Sequence, residues 1–175
     1  MEENKDYEIK VDGEYHEFEG GGIRYTKTGK GRFDLIPFEV LDKIINKIND
    51  YIESTDCREF SNVDTLLSFC NRDFHLTIFG IVCEHYRVKT CDGLVNAREF
   101  SEGFSQMLLD LAIHFEKGAA KYGENNWKKG IPSSSFEDSG FRHLCQWMSG
   151  KTDEPHHISA IWNMICWYWV NDNLS

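Results

Sequence analysis

Apolar residues recur every three or four positions in two long stretches of the chain, a spacing that predicts amphipathic helices. The first stretch covers residues 37 to 52 and starts at Pro37, a residue that is well tolerated in the first turn of a helix. The second covers about residues 96 to 122 and is followed by Gly123, as helix ends commonly are. The apolar stripe of each helix is expected to face a common core.

Two further helices are predicted in the last third of the chain. One follows Pro132, where Ser134 and Glu137 have the spacing of a capping box, and it ends at Gly150. The other begins near Asp153 and is apolar around most of its girth. We therefore expect the last helix to be central or to lie at a subunit interface.

The region from about residue 53 to residue 100 has a different pattern. A short helix is predicted from Asp64 to Phe69, and residues 74 to 88 are rich in β-branched and aromatic side chains, which favour strands. The sequence therefore predicts a mainly α protein with a small β-containing insertion at about residues 70 to 92. A zinc site built from the cysteines and histidines here is conceivable, but the usual close ligand pair is missing, which favours buried thiols.

The N-terminal segment combines charge with glycine. Residues 1 to 19 are interpreted as a charged tail or a short strand, and residues 20 to 175 as one domain that contains an insertion at about 53 to 100. Residues 20 to 34 carry four basic side chains against one acid in an otherwise acidic chain. They form either a strap that offers cations to phosphates or a solvated loop. The spacing is not that of a P-loop, because Gly31 follows Lys30 where Ser or Thr is required.

Composition excludes several classes of protein. The chain has 175 residues, which suits one domain, and a formal net charge of −10, which disfavours a protein that coats nucleic acid. No apolar run reaches the length of about 20 residues that a membrane helix needs. The acidic N-terminus lacks an apolar signal core, so we expect a cytoplasmic protein whose six cysteines are free thiols.

Polar side chains interrupt the helices of the C-terminal half. Glu116, the pair Arg142 and His143, the run from Asp153 to His157, and Asn163 all lie on segments that otherwise resemble core helices. Because buried polar groups cost free energy unless they have partners, their recurrence predicts a functional site.

Two stretches carry a family resemblance. Residues 115 to 132 read FEKGAAKYGENNWKKGIP and are followed by SGFRHL, GKTDEPH and AIWN, while residues 20 to 37 read GGGIRYTKTGKGRFDLIP. These motifs resemble the dATP/dGTP diphosphohydrolase family of phages and bacteria, which is similar to a branch of the all-α, MazG-like nucleoside triphosphate pyrophosphohydrolases. The resemblance covers about half of the chain, at both ends, and implies a MazG-like helical bundle.

The resemblance implies that acids hold a divalent metal ion. Hydrolysis at the α-phosphorus needs such an ion, Mg²⁺ or Mn²⁺, to neutralise phosphate charge and to activate water. The acids in matching places, and hence the catalytic candidates, are Glu116, Asp153 and Glu154, and His156 could add a nitrogen ligand or a hydrogen bond. The E-x-x-E pattern of MazG-like helices is incomplete, because Ala119 stands three residues after Glu116. The alternatives are a helix cap for Asp153 and a surface acid that balances the helix dipole for Glu154.

Basic residues are candidates for binding the phosphates. Arg142 can bind a phosphate bidentately, or it can pair with Asp138 on the same helix. His143 is a ligand or a core histidine, and Lys121 lies in the K-Y-G motif but has a stem long enough to reach solvent. The full set of phosphate-binding candidates is Lys121, Arg142, His143, Arg24, Lys30 and Arg32.

Aromatic and amide side chains are candidates for binding the base. Tyr122 and Trp127 could stack on a base or belong to the core. Asn126 and Asn163 have the donors and acceptors to read a purine edge, and asparagine is otherwise unfavourable in the middle of an apolar helix such as the one that holds Asn163.

The resemblance implies a metal-dependent enzyme that hydrolyses dATP or dGTP to the monophosphate and pyrophosphate. We expect a homo-oligomer, a dimer or larger, in the cytoplasm (that of the host, if a phage encodes it), with no membrane or nucleic-acid partner. The alternative is a nucleotide-binding module or an accessory phage protein that kept the pocket without turnover. The missing second acid near Glu116 favours that alternative.

Overall fold

The computed structural model describes residues 15–17, 19–25, 29–54, 61–88, 90–91 and 94–174. The described chain is mainly helical, as predicted. Its helices are α1 (Phe38–Ser54), α2 (Asn62–Cys70), α3 (Phe74–His85), α4 (Ala97–Tyr122), α5 (Ser133–Met148) and α6 (His156–Leu174). Four of them confirm the helices predicted from apolar spacing, and α2 confirms the short helix predicted near Asp64.

Helix α6 lies at the centre of the fold. It packs against α5 along much of its length and also contacts α1, α3 and α4. Ten of its residues are buried, among them Ile158, Ile161 and Ile165. Helices of the same chain therefore cover α6 on several sides, which explains why it is apolar around most of its circumference.

The predicted β-containing insertion is wrong. Residues 74–85, which the β-branched and aromatic composition assigned to strands, form α3, and residues from Phe74 to Val82 are buried almost without interruption. Strand pairing in the described part of this region is limited to β3 (Thr90–Cys91) and β4 (Leu94–Val95). Two strands of two residues each are too short to build a sheet, so the insertion is helical.

Helix caps differ from the prediction in one place. Helix α5 has Pro132 at its N-cap and no side-chain cap hydrogen bond, so the capping box predicted for Ser134 and Glu137 is wrong. A capping box does occur at α2, where the Ser61 side chain accepts from the Asp64 amide and the Asp64 carboxylate accepts from the Ser61 amide. The ends of α4 agree with the sequence, because Asn96 caps its start and Gly123, at φ +88°, ends it.

The N-terminal segment forms a hairpin and then lies on α4. Strands β1 (Tyr15–Glu17) and β2 (Ile23–Tyr25) pair antiparallel across the glycine run. The predicted tail at residues 1 to 19 falls mostly outside the described residues, as does Lys27. Residues 29–32, which we call the strap, then contact α4 before a short 3-10 turn at Phe33–Leu35 leads into α1.

The buried apolar side chains of the described helices form one cluster, to which all six helices contribute. No helix in the described ranges combines the length and the apolarity of a membrane span.

Candidate active site between α4, α5 and α6

Helices α5 and α6 form an antiparallel pair that brings two histidines together. Helix α5 ends at Met148, and a tight turn that includes Gly150, at φ +78°, leads to the start of α6 at His156. Consecutive helices joined by a short loop pack side by side, so the end of the first meets the start of the second. His143 and His156 are thirteen residues apart in sequence, yet their Nδ1 atoms are 3.0 Å apart.

A carboxylate completes the cluster. Glu154 Oε1 lies 3.4 Å from His143 Nδ1 and 3.3 Å from His156 Nδ1. One atom from each of three side chains therefore surrounds a common point, and this set of nitrogen and oxygen donors fits a divalent cation. We call His143, Glu154 and His156 the triad. It contains two of the four predicted metal ligands and one residue that the sequence assigned to phosphate binding.

Asp153 lies on the opposite side of His156 from the triad centre. Its Oδ1 atom is 3.0 Å from His156 Nε2, and this hydrogen bond lowers the pKa of the Asp153 carboxyl. Because a carboxylate accepts, His156 donates through Nε2 and is left with a lone pair on Nδ1, assigned from the hydrogen-bond network. Asp153 thus orients a triad residue, whereas the sequence predicted it to bind metal directly.

Burial favours the neutral form of the His143 imidazole. The His156 side chain is 1% exposed and that of His143 is 12% exposed, while Glu154 remains 49% exposed. Burial lowers the pKa of His143, against the opposing effect of Glu154. Neutral imidazole is the form that binds metal, so this shift favours cation binding by His143.

A polar cavity of about 340 Å³ lies next to the start of α6. Helix α4 contributes Asp110, His114 and Lys117, and the start of α6 contributes Pro155 and His157, the neighbours of His156. The His157 ring stacks on His85 with their centroids 3.5 Å apart. The cavity lining thus combines one lysine and one aspartate with three histidines, beside the start of α6.

Sequence reasoning missed the residues of the polar cavity. A signal was present, because Asp110, His114 and Lys117 are separated by four and three positions and therefore share one face of α4. That spacing places titratable groups along one stripe of a helix that also carries Glu116.

An apolar cavity of about 210 Å³ lies on the other side of α4's C-terminal end. Tyr122, Asn126 and Trp127, all predicted to bind the base, line it, together with Phe115, Ile131 and Trp162. The Trp162 ring is 5.7 Å from the ring of His114, which lines the polar cavity. The two cavities are therefore neighbours that this ring pair separates.

The three base-binding candidates that line this cavity differ in exposure. Tyr122 is 60% exposed, so its ring is available for stacking, whereas Trp127 is 5% exposed and packs edge-on against Trp169 at 5.2 Å. Among the described residues the buried Nε1 donor of Trp127 has no partner, which is unusual for an indole. Asn126 lies half-buried at the same cavity.

Glu116 is engaged by the strap. Its Oε1 accepts from the Gly29 amide at 2.7 Å and its Oε2 accepts from the Gly31 amide at 2.8 Å. The Arg32 amide adds a third bond, to the Ala112 carbonyl at 2.9 Å. Glu116 is thus not one of the three triad residues, although the sequence predicted it to bind metal.

The cationic candidates lie apart from one another. Arg32 pairs with Asp34 at 2.6 Å and with Glu124 at 2.7 Å. Lys30 is exposed, and Lys121 is exposed with its Nζ atom 4.7 Å from the Tyr122 ring centroid. The side chain of Arg24 lies outside the described residues.

The remaining two candidates lie on α5 and α6. Arg142 is exposed and donates to Ser139 Oγ at 3.1 Å. Asn163 is buried and donates to the Ser159 carbonyl one turn earlier, at 2.8 Å, beside Gly140 of α5. Its amide is therefore bonded within α6, while its Cβ lies where small Gly140 allows α5 to approach closely.

Together these features define a helical bundle with a histidine–carboxylate cluster, suited to a divalent cation, beside one polar and one apolar cavity. Residues 92–174, which contain the triad, match the family described as dATP/dGTP diphosphohydrolase, N-terminal. The match confirms the family resemblance over slightly less than half of the chain. No curated protein and no solved structure matches the chain.

Proposed function

We propose that this protein hydrolyses a purine deoxynucleoside triphosphate, dATP or dGTP, to the monophosphate and pyrophosphate with the help of Mg²⁺ or Mn²⁺. The main support is that the family match and the candidate site lie in the same segment of the chain. The segment that matches the diphosphohydrolase family, residues 92–174, also holds the triad and most of the lining of both cavities.

The triad residues His143, Glu154 and His156 would hold the cation. When bound, a divalent cation neutralises phosphate charge and lowers the pKa of water, which is the chemistry that this hydrolysis needs. Asp153 acts on His156 from outside, because its hydrogen bond to Nε2 fixes the tautomer that leaves Nδ1 directed at the centre of the triad.

The polar cavity suits the phosphates. Lys117 carries a positive charge into it from α4, and His114 and His157 add nitrogen donors or acceptors. Charge-assisted hydrogen bonds to phosphate oxygens are about twice as strong as neutral ones, so Lys117 is the chief phosphate-binding group in this proposal. The exposed Lys30, Lys121 and Arg142 would add positive charge around the site.

The apolar cavity suits the base. Its lining is largely aromatic and aliphatic, and Tyr122 offers an exposed ring for stacking. Asn126 brings both a donor and an acceptor, which match the mixed edge of either purine. A nucleotide that spans the His114–Trp162 pair would have its base in the apolar cavity and its phosphates beside the triad.

The family resemblance also supports a MazG-like arrangement of the helices. A cytoplasmic location, expected from the acidic N-terminus, and a homo-oligomer, expected from the apolar last helix, stay predictions. The oligomeric state is tested by light scattering coupled to size-exclusion chromatography. A monomer at micromolar concentration contradicts that part of the proposal and leaves the reaction untouched.

The reaction is tested by measuring pyrophosphate release from a panel of ribo- and deoxyribonucleoside triphosphates with Mg²⁺, with Mn²⁺ and with EDTA. We expect metal-dependent release from dATP or dGTP, which also identifies the base. Glu154→Gln should abolish it, whereas Glu137→Gln, which removes a surface carboxylate of α5 that pairs with Arg72, should not. If folded protein releases no pyrophosphate from any nucleotide, the proposed enzymatic activity is contradicted.

One observation favours a non-catalytic nucleotide-binding module as the alternative. The position three residues after Glu116 is Ala119, and Glu116 itself is held by the strap, so this face of α4 offers fewer acids than a MazG-like helix. The alternative predicts that dATP or dGTP binds, as measured by calorimetry, while no pyrophosphate appears.

A further inference from the structure

We propose that the triad is a transition-metal site of the two-histidine, one-carboxylate type, which takes Mn²⁺, Fe²⁺, Co²⁺ or Zn²⁺ in preference to Mg²⁺. The inference deepens the proposed function and rests on it for the role of the ion in hydrolysis. Binding of the ion itself requires only the triad.

The spacing of the three donor atoms supports a single ion. The pairwise distances are 3.0 Å between the two Nδ1 atoms, and 3.4 Å and 3.3 Å from Glu154 Oε1 to His143 and His156. The point equidistant from all three lies about 1.9 Å from each atom, and metal–imidazole bonds are about 2.0–2.1 Å long. These separations would therefore allow one ion to contact all three donor atoms.

The chemistry of the donors selects the class of metal. Mg²⁺ prefers oxygen ligands in octahedral geometry and retains several waters, whereas imidazole nitrogen suits Mn²⁺, Fe²⁺, Co²⁺ and Zn²⁺. Two of the three donors here are nitrogens. Two imidazoles and one carboxylate are also the donor set typical of transition-metal centres with exchangeable positions.

The surroundings of His156 are those of a metal ligand. Metal-bound histidines usually donate their second ring nitrogen to a carboxylate, and Asp153 accepts that hydrogen bond at 3.0 Å. His156 is 1% exposed, so its ring is fixed by packing as well as by this bond. In the metal-free protein the Nδ1–Nδ1 contact requires one shared proton, which His143 supplies, and the ion takes the place of that proton.

Metal binding is tested without nucleotide, on protein first treated with EDTA. Titration calorimetry with Mn²⁺, Co²⁺ and Mg²⁺ gives the affinities, and the visible absorption of bound Co²⁺ reports nitrogen ligation. We expect one ion per chain and at least about tenfold tighter binding of Co²⁺ than of Mg²⁺. His143→Ala should weaken Co²⁺ binding by about 100-fold or more, and Asp153→Asn, which changes only the outer partner, by about 10- to 100-fold.

The matched control is His75→Gln, which changes an imidazole on α3 that lies near Lys47 and Asp73. It should bind Co²⁺ as the unaltered protein does. His143 is chosen over buried His156 because its side chain is more exposed, and circular dichroism verifies that the variant folds.

Two results overturn the inference: Co²⁺ binding no tighter than Mg²⁺ binding, or full Co²⁺ binding by folded His143→Ala. Either is compatible with pyrophosphate release, so the proposed function would survive. Conversely, tight Co²⁺ binding that His143→Ala removes, without hydrolysis of any nucleotide, supports the site and contradicts the enzyme.

Discussion

At Glu116 both carboxylate oxygens accept backbone hydrogen bonds from the strap, from Gly29 and from Gly31. A carboxylate can accept from two amides at once, whereas the Gln side chain has only one oxygen acceptor and would turn an NH₂ group toward the second amide. The structure therefore gives Glu116 a clear role in holding the strap, and its role as a metal ligand stays a prediction.

We predict that Glu116→Gln lowers the free energy of unfolding by about 1 kcal/mol and leaves Co²⁺ affinity unchanged, because one charge-assisted bond is lost outside the triad. Urea unfolding and calorimetry measure the two quantities. The control is Glu102→Gln on the same helix, whose exposed pair with Arg98 is worth about 0.3–0.5 kcal/mol. Loss of Co²⁺ binding in Glu116→Gln with unchanged stability would instead make Glu116 a metal ligand.

The strap is the element in which glycine is required. Gly29 and Gly31 have φ values of +77° and +83°, so alanine at either position is strained by about 1–2 kcal/mol. Only at Gly31 does space matter as well, because an added Cβ would lie 2.7 Å from the Ala112 Cβ and 3.0 Å from backbone atoms of α4. At Gly29 no atom of the described residues lies within 4 Å of that position.

We predict that Gly31→Ala releases the strap from α4, whereas Gly29→Ala, which carries the same backbone strain, leaves it bound. Hydrogen exchange of the amides of residues 29–32 measures the difference, because those of Gly29, Gly31 and Arg32 donate to α4. Equal exchange in the two variants would mean that the approach to Ala112 does not hold the strap.

Elements with an amphipathic pattern were predictable from sequence, and the error at α3 has a physical reason. The run from Phe74 to Val82 is apolar nearly throughout, so it has no period that distinguishes a buried helix from a buried strand. Its composition favoured strand, but β propensity largely measures the fit of side chains to a half-buried surface, and tertiary packing overrides it. The length of α3, twelve residues, favours a helix.

The candidate site was only partly predictable, because it depends on how whole helices pair. Asp153, Glu154 and His156 were identifiable as unusual residues at the start of a helix. Glu154 and His156 can be told apart from the outer partner Asp153 only when the position of His143 is known. That position follows from the antiparallel pairing of α5 with α6. The polar cavity likewise joins α3, α4 and α6, which no local pattern relates.

At the scale of the whole molecule, an ion in the triad would join α5 to the start of α6. We predict that Mn²⁺ at about 100 times its dissociation constant stabilises the fold by about 2.7 kcal/mol, which for a chain of this size raises the unfolding temperature by about 5–10 °C. Differential scanning fluorimetry in Mn²⁺ and in EDTA measures the rise. His143→Ala should lose the rise and His75→Gln should keep it; an equal rise in both would place the stabilising ion elsewhere.

Buried histidines make the stability of the metal-free molecule depend on pH. Burial, then the charge of His143, lowers the pKa of His114 to about 4, with Glu154 opposing and Lys117 adding to the effect. Asp110 and His157 share the polar cavity with His114, so they face the same space. The unfolded chain binds a proton at His114 near pH 6.5, so between about pH 6.5 and pH 4 it holds more protons than the folded chain.

Where the unfolded state binds more protons than the folded state, the free energy of unfolding decreases as the pH is lowered. We predict that the free energy of unfolding in EDTA decreases from about pH 6.5 to pH 4, and that His114 accounts for up to about 3 kcal/mol of the decrease. Above about pH 7.5 His114 is neutral in both states and contributes no slope. Urea unfolding across this range, compared between the unaltered protein and His114→Gln, isolates the contribution. Parallel curves for the two proteins would show that His114 is protonated as readily in the folded chain as in the unfolded one.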